Sequence, residues 1–252
     1  MPRFKLTLEY DGTGLVGWQR QNNGLSVQEI IETAVERFCG ARLVVHGAGR
    51  TDAGVHALGQ VAHLDLTKDA APEVIRNALN QHMKPHAVAV LAVAPVAPDF
   101  DARRSARGRV YRYRILNRRP PAVIERGRVW HVGPMLDAEA MQAGARLLLG
   151  KHDFSSFRDS LCQARSPVKT LDRLDVARQG DEIVIEARAR SFLHHQVRNM
   201  VGTLKLVGAG KWKVAQVAEA LEARDRRAGG PTAPPEGLYL VEVSYGPGEA
   251  AH

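Results

Sequence analysis

A chain of 252 residues, 44% hydrophobic and 25% charged, can form one large globular domain or two modest ones with ample core. No apolar run approaches the roughly 18–20 residues of a membrane span, Met1 to Leu6 lacks an apolar signal core, and the two cysteines, Cys39 and Cys162, stand in no metal-ligand spacing. A soluble protein of a reduced, cytoplasmic compartment is expected, and a formal net charge of +8, carried mostly by arginine, points to a polyanionic partner.

Phe4 to Tyr10 alternates as a strand and runs into the turn formers Asp11-Gly12. Gly12-Thr13-Gly14-Leu15-Val16-Gly17 spells a dinucleotide-binding fingerprint, which needs a helix starting on its third glycine. The chain instead continues as polar loop, Trp18-Gln19-Arg20-Gln21-Asn22-Asn23-Gly24, so the match is accidental. An exposed Trp18 beside Arg20 suits base stacking and hydrogen bonding, and both are assigned to the substrate. Ser26-Val27-Gln28-Glu29 is a capping box that opens a helix through Ile30, Ile31, Ala34, Val35 and Phe38, stopped by Gly40. Leu43-Val44-Val45 is expected as a short strand and Gln60 to Leu66 as a longer one. Pro72 starts a helix carrying Val74, Ile75, Ala78 and Leu79, and Val88 to Val96 forms another strand.

The second half opens with a strand from Arg109 to Leu116. Asp137 caps a helix through Met141, Ala145, Leu148 and Leu149, ended by Gly150. Leu171 to Ala177 and Ile183 to Ala189 form an antiparallel pair around Gln179-Gly180-Asp181. Phe192 to Val207 and Val214 to Ala223 have helical spacing, and Leu238 to Val243 is a final strand after a glycine- and proline-rich loop. Strands and helices interleave without βαβ repetition, which predicts an α+β fold with largely antiparallel sheets. Pro98 to Ser105 divides it into two lobes of similar layout, residues 1–105 and 106–252.

Between the Val45 and Gln60 strands lies Gly47-Ala48-Gly49-Arg50-Thr51-Asp52-Ala53-Gly54-Val55-His56. The glycines allow a tight loop and close approach of a ligand, and a carboxylate beside a guanidinium is expected to stay ionised. The bland alternative is an Asx-turn in which Asp52 bonds only its own backbone. Arginines 103, 104, 107, 109, 112, 114, 118, 119, 126 and 128 follow, with Glu125 the only acid among them. Within this run Arg109, Tyr111, Tyr113 and Ile115 share one strand face and Arg112 and Arg114 the other. That pattern suits a face for a base and a face for phosphate or carboxylate, although Tyr113 is expected in the core. His194-His195 does not suggest a metal, because neighbours on a helix point about 100° apart. Arg198, on the same apolar helix, calls for an anionic partner.

Together these residues resemble the tRNA pseudouridine synthase A family. The resemblance rests on Tyr10-Asp11-Gly12-Thr13, Gly17-Trp18-Gln19-Arg20-Gln21, Ser26-Val27-Gln28-Glu29 and the Asp52 motif. It continues through Phe100-Asp101-Ala102-Arg103, Tyr111-Arg112-Tyr113, Gly150 to Phe157, Phe192 to Gly202 and Glu236 to Leu240, in order from about Tyr10 to Tyr245. Asn77 to Asn80 and the tail after Tyr245 follow the family pattern less closely. The resemblance implies two lobes of the pseudouridine synthase fold with the active cleft between them. It also implies isomerisation of uridine at tRNA positions 38, 39 and 40, and a homodimer that binds the anticodon arm. By the same resemblance Asp52 is the nucleophile, Tyr111 contacts the target base and Arg198 pairs with Asp52. Arg50 and His56 join the substrate side.

The reaction breaks N1–C1′ and rejoins the sugar through C5, with no net redox change, so no cofactor and no metal are expected. One carboxylate can attack the sugar, attack the base or take a proton. Two rivals compete. A non-catalytic RNA-binding protein would keep the arginines without needing Asp52. A nucleosidase would need a second carboxylate, and the nearest acid, Asp65, lies along the outgoing strand.

Overall fold

The computed structural model describes residues 1–246; the looser tail beyond them lies outside the described residues. The chain divides into two compact units, Met1–Arg107 with the segment from Tyr239 onward, and Gly108–Leu238. Among the described residues each carries five strands and its own helices, numbered in chain order.

In the first unit, β1 (Arg3–Tyr10) pairs antiparallel with both β3 (His56–Asp65) and β4 (Val88–Val96); Leu6 faces Ala62 on one side and Val93 on the other. The two-residue β2 (His46–Gly47) adds to β3. Alternation along β1 sends Phe4, Leu6, Leu8 and Tyr10 inward. Helix α1 (Val27–Cys39) packs on α2 (Pro72–Met83), and α2 on β4; Val27, Ile31, Ile75 and Leu79 are fully buried. Ser26 caps α1 as expected, its hydroxyl accepting the Glu29 N–H at 3.2 Å, and Gly40 ends the helix at φ 72°. Leu43 to Val45 is not a strand. That segment is irregular, and Val45 N–H bonds the buried Glu32 carboxylate at 3.2 Å instead of a ladder partner.

The last strand, β10 (Leu238–Ser244), runs parallel to β3, with Tyr239 opposite His56 and Leu240 opposite Ala57. The described residues from Tyr239 therefore group with the first unit, whereas the sequence reading assigns them to the second lobe, 106–252. A return strand carries no local mark, because its pairing is decided about 180 residues away from its partner in the chain.

In the second unit, β5 (Gly108–Leu116), β9 (Glu182–Ala189), β8 (Val168–Gln179) and β7 (Gly150–Asp153) lie side by side, all antiparallel. The two-residue β6 (Trp130–His131) runs parallel to β5. Helix α3 (Ala138–Arg146) packs on β8 and on α4 (Gln196–Gly208), and α5 (Ala215–Ala223) packs beside α3. The sheets are mostly antiparallel and the class is α+β, as the interleaved pattern predicted. β6 and β7 were not foreseen: two and four residues carry too little alternation to register. No helix among the described residues is long and apolar enough to cross a membrane, and both cysteines are free thiols.

His63 gives the first unit a pH dependence. It is 4% exposed, accepts the Ala102 N–H at 3.1 Å and stacks on His46 at 5.0 Å. Burial, then His46 and Arg3, push its pKa below the usual 6.5, against the opposing pull of Asp101 and Asp65. Below about pH 6.5 the unfolded chain therefore binds a proton that the folded chain refuses. Stability contributed by the neutral ring is complete above that pH and declines as pH falls. The urea midpoint should be lower at pH 5.5 than at pH 7.5, and His63→Gln should make that drop smaller; an unchanged drop would remove His63 as its source.

Candidate active site

Asp52 sits on a turn leading into β3. Its backbone carbonyl accepts the Val55 N–H at 3.1 Å, and Gly54 takes φ 77°, a conformation that favours glycine. This turn is closed by backbone groups, Val55 N–H on the Asp52 carbonyl, whereas an Asx-turn would be closed by the Asp52 side chain. Its approach is tied down on several sides. The buried Thr51 hydroxyl lies 2.8 Å from the Tyr10 hydroxyl at the end of β1, and the Thr51 carbonyl accepts the Trp18 N–H at 3.0 Å. The fully buried Gln60 donates to the Gly49 carbonyl at 2.9 Å, and Ala48 N–H bonds Val61 O at 2.7 Å.

The segment from Gly12 to Trp18 lies directly on this turn. A Cβ on Gly12 would overlap the Val55 carbonyl; one on Gly17, which adopts φ 101°, would overlap the Thr51 carbonyl and stand 3.0 Å from the Asp52 carbonyl carbon. Two glycines of the false dinucleotide fingerprint thus serve close backbone contact with the Asp52 loop. Gly47 plays the same part beneath the Trp18 ring.

This packing corrects two substrate assignments. Trp18 is 3% exposed, its ring buried against Gly47 and tilted against Tyr10 at 6.3 Å, so it supports the loop and offers no face to a base. His56 is 2% exposed and stacks on Tyr239 at 4.7 Å; its Nδ1 accepts the Gly12 N–H at 3.0 Å and lies 3.1 Å from an Asp11 oxygen. It is a spacer under the loop. For Trp18 the polar neighbours Gln19 and Arg20 suggested exposure, and tertiary packing overrode them. Arg20 is exposed and reaches Glu29 at 3.5 Å and Glu32 at 3.3 Å, while Arg50 is exposed beside the turn. Sequence reasoning missed Tyr10 and Gln60: alternation along β1 points Tyr10 inward, but β3 is buried on both faces and carries no local signal that singles out Gln60.

In the second unit, alternation along β5 proceeds as expected. Tyr113 is fully buried and donates to the Pro234 carbonyl at 2.7 Å. Burial, helped by Glu236 and opposed by Arg198, pushes its pKa far above the ordinary tyrosine range. Tyr111 keeps 9% exposure and meets Phe192 edge to face at 5.2 Å. On the other face, Arg112 bonds Glu186 at 2.7 Å, and Arg114 bonds Glu182 at 2.7 Å and Glu125 at 2.8 Å. Those arginines are paired with carboxylates of β9 and of the loop that follows β5. The count of acids within the run could not reveal cross-strand partners 68 and 74 residues away.

Arg198 lies in the first turn of α4, which begins at Gln196 and not at Phe192 as the spacing suggested. Its Nε donates to the Ala233 carbonyl at 2.8 Å, and the Ala233 N–H returns a bond to the Arg198 carbonyl at 3.1 Å. His194 and His195 precede the helix, His195 in the left-handed region at φ 60°. Their rings lie 3.9 Å apart and turn toward Asp159, at 3.7 and 2.7 Å. The helical-wheel argument that separated the pair does not apply in this turn.

Residues 7–103 and 145–246 match the family model described as tRNA pseudouridine synthase. A protein of Rhodospirillum centenum named tRNA pseudouridine synthase A is 64% identical over 245 residues, covering 97% of this chain and all of its own length. Proteins of the same name from Paramagnetospirillum magneticum and a Bradyrhizobium strain are 64% and 58% identical over 97% of this chain, covering 96% and 100% of their own. The chain belongs to the tRNA pseudouridine synthase family.

Gly12→Ala adds one methyl where the Val55 carbonyl already stands, so the Asp52 turn must move. Displacement on the scale of an ångström costs about 100-fold in rate. The expected result is a fall of that order in kcat for pseudouridine formation, with KM for tRNA nearly unchanged; wild-type kcat would show that the loop tolerates the shift.

Proposed function

We propose that this chain converts uridine to pseudouridine at positions 38, 39 and 40 of the tRNA anticodon arm, without a cofactor, as a cytoplasmic homodimer. Asp52 is the nucleophile, Arg198 its cationic partner and Tyr111 the contact to the target base. The observation that carries this reading is the Asp52 turn: a carboxylate whose backbone is fixed from β1, from β3 and by two glycines packed against it. Fixed placement is what a covalent or basic catalyst requires, since its rate depends on holding the reacting atoms in near-attack geometry.

The chemistry needs little else. The N1–C1′ bond breaks, the uracil turns, C5 bonds to C1′, the C5 proton leaves and N1 ends protonated. Atoms balance within the nucleotide. Attack on C1′, attack on the base and proton removal all remain open to one carboxylate. The target must leave its stack, at a cost of a few kcal/mol. Tyr111, half of an edge-to-face pair with Phe192, presents a small exposed margin for it. Arg50, exposed beside the nucleophile, is the side chain nearest in sequence to hold or replace the extruded base. Arg20 belongs with it on the polyanion side, and the net charge of +8 supports backbone binding.

Pseudouridine mapping on unmodified tRNA tests this directly, with wild-type protein and Asp52→Asn, in chelator and with no added cofactor. Wild type should modify the anticodon arm, and Asp52→Asn should leave no detectable product. Binding without conversion by wild type would leave an RNA-binding protein, free uracil would indicate a nucleosidase, and equal activity in Asp52→Asn would move the reaction elsewhere.

A further inference from the structure

Arg226 is a half-buried arginine that no part of the chemistry above employs. Among the described residues its guanidinium meets no carboxylate. It meets three neutral oxygens: Gly230 O at 2.9 Å, Asn199 Oδ1 at 3.0 Å and Thr232 Oγ1 at 3.1 Å. A planar fork spread over three fixed oxygens acts as a geometric brace, which lysine could not reproduce. Two of those oxygens belong to the loop 229–235 and the third to α4.

The same two elements are joined elsewhere by backbone contact. A Cβ on Gly202 of α4 would overlap the Pro231 carbonyl, and a Cβ on Gly230 would stand 2.7 Å from Thr203 Cα. Thr203 Oγ1 accepts the Gly230 N–H at 2.9 Å and donates to Asn199 O at 2.8 Å. Asn199, 1% exposed, donates to Phe157 O at 2.9 Å and accepts from Thr232 at 2.7 Å. At its far end the loop is held by the Tyr113 hydroxyl on Pro234 O, at 2.7 Å. Between these anchors lies Ala233, whose carbonyl and N–H both engage Arg198. Residues 229–234 lie in no helix or strand, and only Pro235 enters a single 3₁₀ turn. The loop's position depends on these side-chain bonds.

We propose that Arg226, through Asn199 and Thr232, is a positioning residue for Arg198: it holds the loop 229–235 on α4 so that the Ala233 carbonyl aims the Arg198 guanidinium. The inference rests on the role given to Arg198 under Proposed function. The bond to Ala233 occupies Nε and so fixes the plane of the guanidinium, which determines where the two terminal nitrogens point. Loss of the clamp lets that plane turn while leaving Arg198 present and charged.

The test is a double-mutant cycle on single-turnover pseudouridine formation and on steady-state kcat and KM for unmodified tRNA. It uses Arg226→Met and Thr232→Val, each alone and combined with Arg198→Lys. Arg226→Met should lower kcat on the order of 10- to 100-fold, Thr232→Val by a smaller factor, and neither should change KM for tRNA appreciably. In the Arg198→Lys background the additional loss should vanish, because residues acting as one unit are not additive. A merely structural residue would impose the same factor in both backgrounds. If Arg226→Met does not fold, the Thr232→Val cycle decides, since Thr232 is exposed and the change preserves its shape. Fully multiplicative losses, an effect on KM alone, or wild-type kcat in folded Arg226→Met would overturn the clamp. Absence of pseudouridine with wild-type protein would overturn the functional reading with it, whereas full activity in Arg198→Lys would overturn the role of Arg198 itself.

Discussion

Backbone-to-backbone contact between the segment Gly12–Trp18 and the Asp52 turn is the constraint on which the geometry of the first unit's candidate site depends. The Thr51 and Val55 carbonyls occupy the space that a Cβ on Gly17 or Gly12 would fill. No side chain intervenes, so no rotamer can blur the position of the turn. Tyr10, Gln60 and His56 then consume the polar groups that this close approach would otherwise strand. Burying such groups unpaired would cost about 1–3 kcal/mol each. Trp18 closes the underside, with Gly47 making room for its ring.

The second unit solves the matching problem for a cation by the same device. Gly202 and Gly230 bring α4 and the loop 229–235 into direct backbone contact, and a polar network of Asn199, Thr203, Thr232 and Arg226 satisfies the groups thereby buried. Arg198 is gripped at Nε by a carbonyl whose own position is set by that network. The adjacent β5 divides its labour by alternation. Tyr113 anchors the loop from within the core, Tyr111 retains an exposed margin, and Arg112 and Arg114 are neutralised across the sheet.

Much of this was legible beforehand, for identifiable reasons. Helix α1 carried a cap, an apolar stripe and a glycine stop, all local signals, and it begins and ends within a residue of where they place it. The β8–β9 pair was legible from two alternating runs around Gly180. Leu43 to Val45 misled because β-branched composition says nothing about whether a partner strand is in reach, and here the Glu32 side chain took the bond instead. Trp18 misled in the opposite sense, since its polar neighbours in sequence are not its neighbours in space, and the burial of His56 is set by Tyr239, more than 180 positions away.

The residue types of the chemistry, their order along the chain and the periodicity of the longer elements follow from sequence alone, because they are properties of short stretches and of a recognisable series of motifs. Tertiary structure alone decided which glycines touch which carbonyls, which arginines meet carboxylates rather than a partner, and that the last strand returns to β3. Those outcomes depend on distances between residues dozens to hundreds of positions apart. Steric exclusion and charge pairing act through space, and no local pattern of the chain encodes them.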